Sequence, residues 1–124
     1  MLLLDTHTFL WFEENNPKIP AQVMDEILTD NDVFISIASF WEIAIKCSMG
    51  KLDLRVPIDE LMDQCEFPIL PIRTAHLKLL NSLPWIHRDP FDRLLICQAQ
   101  AEGLTLVSAD ENIRKYDVKT LWKD

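Results

Sequence analysis

Glycine is nearly missing from this chain of 124 residues, which carries Gly50 and Gly103 and no other. The two stand too far apart to form a GxGxxG dinucleotide turn or a GxxxxGK[ST] phosphate loop, so nucleotide cradling by a glycine-rich backbone is excluded. Positive charge is also scarce, with 12 Lys and Arg against 20 Asp and Glu and a formal net charge of −8. That balance excludes holding nucleic acid on a generally basic surface, and any such contact must be local or metal-assisted. Cysteine is odd in number and scattered. Cys47, Cys65 and Cys97 offer no CxxC or Cys/His pair at zinc-ligand spacing, so they read as reduced core thiols of a cytosolic protein. Residues 1–12 are mostly apolar, but Asp5 interrupts them and no basic leader precedes them. They resemble neither a signal peptide nor a spanning helix, and the expectation is a soluble, cytoplasmic protein with no membrane partner.

What the chain does have is apolar mass, 48% of its residues, enough for one core. At this length folding hides roughly two-thirds of the surface of the unfolded chain, and no linker or low-complexity stretch divides the sequence, so residues 1–124 read as a single domain. Short apolar runs at 2–4, 33–37, 69–72, 104–107 and 118–121 alternate with helical patterns, which predicts βαβ construction and a parallel sheet. Pro68 and Pro71 restrict the third run to an edge or a very short strand. Pro20 opens a helix with Val23, Met24, Ile27 and Leu28 at helical spacing, and Ile58, Leu61, Met62 and Cys65 repeat in the same way. Two further helices, 40–49 ended by Gly50 and 91–101 ended by Gly103, look more deeply buried. Residues 51–57 read as an extended connection.

Carboxylates follow this framework. Asp5 comes directly after the first strand, Glu42 lies early in the helix after the second, Asp92 opens a later helix, and Asp110 follows the run at 104–107. In a parallel sheet with right-handed crossovers the C-terminal strand ends share one edge, where ligand sites form. Each acid also has a structural explanation. Ser39-x-x-Glu42 and Asp89-Pro90-Phe91-Asp92 both fit a capping box, and Asp5 and Asp110 are placed to cap the helices after their strands. As a group, acids at one edge raise one another's pKa unless a cation balances them. No histidine stands beside them at ligand spacing, so the expected cation is one that prefers oxygen, Mg²⁺ or Mn²⁺. Such ions support phosphodiester hydrolysis with no protein nucleophile.

Leu2-Leu3-Leu4-Asp5-Thr6, Ile35-Ser36-Ile37-Ala38-Ser39-Phe40-Trp41-Glu42-Ile43, Asp92-Arg93-Leu94-Leu95-Ile96 and Leu104-Thr105-Leu106-Val107-Ser108-Ala109-Asp110 together resemble the successive motifs of PIN-domain nucleases. Among these the chain is most similar to the VapC toxins of bacterial toxin–antitoxin pairs, and the segments from Trp41 to Leu52 and from Pro84 to Arg93 resemble one VapC-like subgroup. The resemblance covers nearly the whole chain. It implies a three-layer α/β/α PIN-like fold with a short, mainly parallel central sheet, and Mg²⁺- or Mn²⁺-dependent endoribonuclease activity on an RNA substrate. It also implies that Asp5, Glu42, Asp92 and Asp110 gather the metal, and that the chain forms a homodimer and binds a VapB-like antitoxin. Asp89 is a fifth acid beside them, either in direct or water-mediated contact with the metal or a helix cap alone. Ser108-Ala109-Asp110 stands where such toxins often show Thr-Arg-Asp, so a hydroxyl is kept and a positive charge is absent.

Thr6 and Ser108 have two readings, as groups that hydrogen-bond a ligand carboxylate or as helix caps. Lys46 lies four residues after Glu42, where a helical ion pair forms. The other reading has Lys46, Lys51, Arg88 and Arg93 rim the acidic pocket and hold RNA phosphates, which would reconcile a nuclease with the net charge. His87 reads as a loop or surface residue. Of the four tryptophans only Trp85, in a proline-bounded loop, competes for a substrate role. Two alternatives remain open: a PIN-type nuclease of RNA maturation or DNA flaps, and a catalytically silent PIN-like module that only binds protein or RNA.

Overall fold

The computed structural model describes residues 1–122. Five parallel strands, β1 (Leu2–Leu4), β2 (Val33–Ser36), β3 (Ile69–Leu70), β4 (Thr105–Val107) and β5 (Thr120–Leu121), form one sheet in the order β3-β2-β1-β4-β5. Around it lie α1 (Thr6–Glu13), α2 (Ala21–Thr29), α3 (Ile37–Ser48), α4 (Ile58–Gln64), α5 (Thr74–Ser82), α6 (Pro90–Glu102) and α7 (Glu111–Arg114). The register sets Leu4 beside Ile35 on one side and Val107 on the other. Strand order therefore reverses at β1, and the chain leaves the C-terminal ends of β1 and β4 toward opposite faces, the geometry that opens a crevice.

Alternation along the strands divides the core in two. Leu2, Leu4, Val33, Ile35 and Val107 pack with Phe9, Val23, Ile27, Phe40, Ile43 and Leu61 from α1 to α4. Leu3, Leu70, Leu104 and Leu106 pack on the other face with Leu95, Ile96, Ile113 and Tyr116. Side chains pointing alternately up and down a sheet covered on both faces give three layers, and strands buried on both faces read as near-continuous apolar runs. Cys97 is in the second core, and Cys47 and Cys65 pack at the margin of the first; all three are free thiols.

Boundaries differ from the sequence reading where a cap intervenes. The second strand ends at Ser36, not at residue 37, because the Ser36 hydroxyl accepts from the Ala38 N–H and starts α3 at Ile37, three residues earlier than expected. The third strand is a two-residue edge element, as the prolines require, and helix α6 ends on Gly103 in the left-handed conformation at φ 69°. No helix among the described residues is long and apolar enough to cross a membrane.

Candidate active site

Asp5 sits where β1 ends. Its backbone N–H donates to Val107 O (3.1 Å), which ties it to β4, and its carboxylate caps α1 by accepting from the Thr8 N–H at 2.8 Å. It is 4% exposed, and that burial pushes its carboxyl above the ordinary value against hydrogen bonds from Ser108 and Thr8. The Ser108 hydroxyl therefore reaches Asp5, while its oxygen accepts from the Asp110 N–H at 3.0 Å. One serine thus couples the ends of β1 and β4. Asp110 in turn caps α7, accepting from the Asn112 N–H at 2.8 Å.

Glu42 is buried in the second turn of α3, with both oxygens engaged. Oε1 accepts from the Thr6 hydroxyl and Oε2 from Lys46 Nζ, each at 2.7 Å. The helical ion pair is thus formed. Thr6 Oγ1 also lies 3.0 Å from Ser39 Oγ. The capping-box reading of Ser39-x-x-Glu42 is overturned, because Ser36 occupies the cap and Ser39 lies inside the helix. The same spacing of three puts Ser39 and Glu42 on one helical face, toward Thr6. That spacing was the signal that could have assigned Ser39 to the site.

At the start of α6 the roles separate. Asp89 Oδ1 accepts from the Phe91 and Asp92 N–H groups at 2.9 and 3.0 Å and caps the helix. Asp92 is left facing inward. Its carboxyl is pushed up to about 8, first by burial and then by the charges of Asp89, Asp5, Asp110 and Glu42. Asp92 therefore lies within electrostatic reach of each of the other four acids foreseen for the site. Among the described residues no three carboxylate, imidazole or thiol groups already stand at ligand distance from one point. The acids thus share a negative potential without a closed coordination shell. Their donor set, oxygen only with excess negative charge, suits Mg²⁺ or Mn²⁺ in chemistry and in charge.

Two residues depart from expectation. His87 does lie in the loop before α6, but its ring is turned inward: Nε2 is 3.3 Å from Asp92 Oδ2 and Nδ1 is 2.8 Å from the Tyr116 hydroxyl. That hydroxyl accepts from the His87 backbone N–H and from Arg93, so its own proton points to Nδ1 as the nearest acceptor, leaving Nε2–H to face Asp92. Arg93, expected to hold phosphates at the pocket rim, is 2% exposed instead. Its guanidinium donates to Pro84 O (2.7 Å), Leu83 O (3.2 Å) and the Tyr116 hydroxyl (3.2 Å), and so fastens the loop before α6. Tyr116 went unnoticed in the sequence, since nothing local marks a contact made 23 to 29 residues away. The remaining cations sort into two places. Lys46 and Lys51 line a recess of about 300 Å³ beside Thr6, and Arg88 lines a separate groove.

Comparison with known proteins bears on the family and the fold. The PIN domain family model matches residues 2–119. Ribonuclease VapC22 of Mycobacterium tuberculosis is 23% identical over 121 residues, covering 93% of this chain and 91% of that protein. The solved structure of VapBC2 from Rickettsia felis bound to a promoter DNA fragment superposes with a TM-score of 0.75 at 15% identity, covering 99% of this chain and 98% of that one. FitAcB from Neisseria gonorrhoeae gives a TM-score of 0.66 at 20% identity, covering 98% and 96%. At such identities the structural likeness speaks to the fold.

Proposed function

The chain belongs to the PIN domain family, and from that premise we propose that it is a metal-dependent endoribonuclease, the toxin of a VapBC-type pair, with Asp5, Glu42, Asp92 and Asp110 as its metal ligands. The observation that carries this reading is the state of Asp92, whose carboxyl is pushed to about 8 by burial and by four neighbouring acids. Helix capping alone does not call for four acids around a buried fifth, whereas a cation site does.

Each acid has a distinct way of being held. Asp5 and Asp110 accept a cap N–H, which fixes the carboxylate and leaves lone pairs free. Glu42 is oriented by Thr6, and Lys46 offsets part of its charge. Ser108 positions Asp5 from β4. Asp89 serves as a cap, with its second oxygen available for direct or water-mediated contact. A bound Mg²⁺ or Mn²⁺ supplies Lewis acidity at the phosphodiester and acidifies water for the attack. Lys46 and Lys51, on the 300 Å³ recess next to Thr6, supply cations for the backbone of the RNA, a local answer to the net charge of −8.

The same reading includes a VapB-like antitoxin and a homodimer. VapBC2 was solved on a fragment of promoter DNA, and exposed Leu28, Trp41 and Met49 are apolar side chains that protein contacts would cover. The test is cleavage of end-labelled transfer and ribosomal RNAs with Mg²⁺ or Mn²⁺ and with chelator, alongside Asp5→Asn. Metal-dependent cutting at discrete positions, abolished in that variant, is expected. Equal cutting by both proteins would refute the ligand assignment, and a folded protein that neither cuts RNA nor binds metal would be the silent module.

A further inference from the structure

Between α5 and the start of α6 runs a groove of about 580 Å³, whose lining includes Lys78, Asn81, Trp85, Arg88 and Arg93 and no carboxylate. In a chain of net charge −8 such a wall is out of keeping with its surroundings. Neither Lys78 nor Arg88 has an ion-pair partner among the described residues, and both are exposed. Trp85 is 77% exposed, the most open of the large hydrophobic side chains. It is not loose, because one face of its ring lies on the Arg93 guanidinium at 3.8 Å. Arg93 is in turn held by the carbonyls of Leu83 and Pro84 and by Tyr116. The result is an indole braced from behind by a buried cation, with its other face open to water. An aromatic face ordered in advance loses little entropy when a flat group stacks on it.

We infer that this groove binds the single-stranded flank of the RNA, with an unpaired base stacked on Trp85 and its neighbouring phosphates held by Lys78 and Arg88. The inference rests on the nuclease reading above and adds where the substrate strand runs. A nucleic acid is favoured over a protein occupant by the composition, a stacking face with two unpaired cations, and by continuity with the acids. Pro90 and Arg93 line the groove from the first turn of α6, the turn that also carries Asp92, and Arg88 sits between His87, which meets Asp92, and Asp89, which caps that helix. A strand whose scissile phosphate lies at the carboxylates has the groove next along α6.

Kinetics on a single-stranded RNA of about a dozen nucleotides, a length that such sites span, tests the inference, with the intact protein and Mg²⁺ or Mn²⁺. Trp85→Ala is expected to raise KM about 5- to 160-fold, the range for loss of one stacked base, and to leave kcat unchanged. Trp85→Phe, which keeps an aromatic face, recovers most of the loss, and this guards against a mere folding defect. Lys78→Ala combined with Arg88→Ala is expected to reduce the slope of log(1/KM) against log salt by about 1.4, two phosphate contacts to a single strand. If the parent cleaves RNA and these variants match it in KM and salt slope, the groove is not on the substrate path, while the nuclease reading stands. If the variants keep their RNA kinetics but lose the antitoxin, the groove belongs to a protein and the inference is overturned. A parent protein that does not cleave RNA with metal removes the nuclease reading and the groove assignment together.

Discussion

Replacing Asp92 by Asn should stabilise the metal-free protein, which is unusual for a buried charged side chain that has a hydrogen-bond partner. The unfolded Asp92 carboxyl ionises near 3.8 and the folded one near 8, raised by burial and by Asp89, Asp5, Asp110 and Glu42. Between those values the native state keeps a proton that the unfolded chain has released, so stability falls as pH rises through that window and levels off above about 8. The shift of about four units would correspond to an upper limit of about 6 kcal/mol. Asp92 retains 17% side-chain exposure, and water entry with side-chain relaxation brings the usable figure to about 2–3 kcal/mol. Asparagine keeps the shape and an oxygen to accept from His87 Nε2, and it does not titrate.

For a chain of this size 1 kcal/mol moves Tm by roughly 3–5 °C. With chelator present and protomer concentration fixed, Asp92→Asn should melt about 6–15 °C above the parent at pH 8.5, with the difference shrinking toward nothing near pH 4. Adding Mg²⁺ or Mn²⁺ should raise the parent and scarcely move the variant, since ligand binding stabilises only the protein that holds it. Scanning calorimetry at several pH values reads all of this. A variant that melts at or below the parent at pH 8.5 in chelator, or a difference that does not grow with pH, would refute the claim that burial and the neighbouring acids raise Asp92.

Two further substitutions probe the supports of the site. Arg93→Ala removes donors to Leu83 O, Pro84 O and Tyr116 and uncovers the inner face of Trp85; by losing buried charge-assisted bonds it should cost about 2–4 kcal/mol in urea unfolding, and a loss under about 0.5 kcal/mol would contradict its role as the loop's fastening. Thr6→Val deletes the hydroxyl that orients Glu42; metal-dependent cleavage should fall about 10- to 100-fold, as for other groups that position a ligand, with the far-ultraviolet dichroism unchanged, and an unaltered rate would mean that Lys46 alone suffices to hold Glu42.

The parts of this molecule legible in its sequence are those set by short-range rules. Leu2–Leu4 is buried at every residue, so a parallel strand covered on both faces appears as a run, and Asp5 after it appears as a carboxylate at a strand end. Gly103 stops α6 because the left-handed backbone there disfavours a Cβ. What escaped was set by long-range contact. Helix α5 is closed at its start by His76 Nδ1, which accepts from the Arg73 N–H at 2.9 Å, a duty for which histidine is no sequence signal, and the same ring, the only buried side chain in the helix, is held at Nε2 by Glu102 across 26 residues. Arg93 looked like a free cation because its partners are backbone carbonyls and a distant phenol. His87 looked superficial for the same reason, since Tyr116 turns its ring.

The competition between cap and ligand, posed in the sequence as alternatives, resolves differently for each acid, and the reason is stoichiometric. A capping carboxylate accepts from one or two N–H groups and has lone pairs left, so Asp5 and Asp110 can cap α1 and α7 and still belong to the cluster. Capping even assists, because a carboxylate locked to a helix N-terminus needs no further ordering to meet a cation. At the start of α6 the two duties fall to two residues: Asp89 takes both N–H groups on one oxygen, and Asp92, relieved of capping, is the acid that bears the repulsion of the rest. At α1 and α7 one acid does both, whereas at α6 the duties are divided. Two acids three residues apart let the fold end the loop and turn a second carboxyl inward at once, which is why at this helix start the carboxyl pushed up to about 8 is the one free of capping.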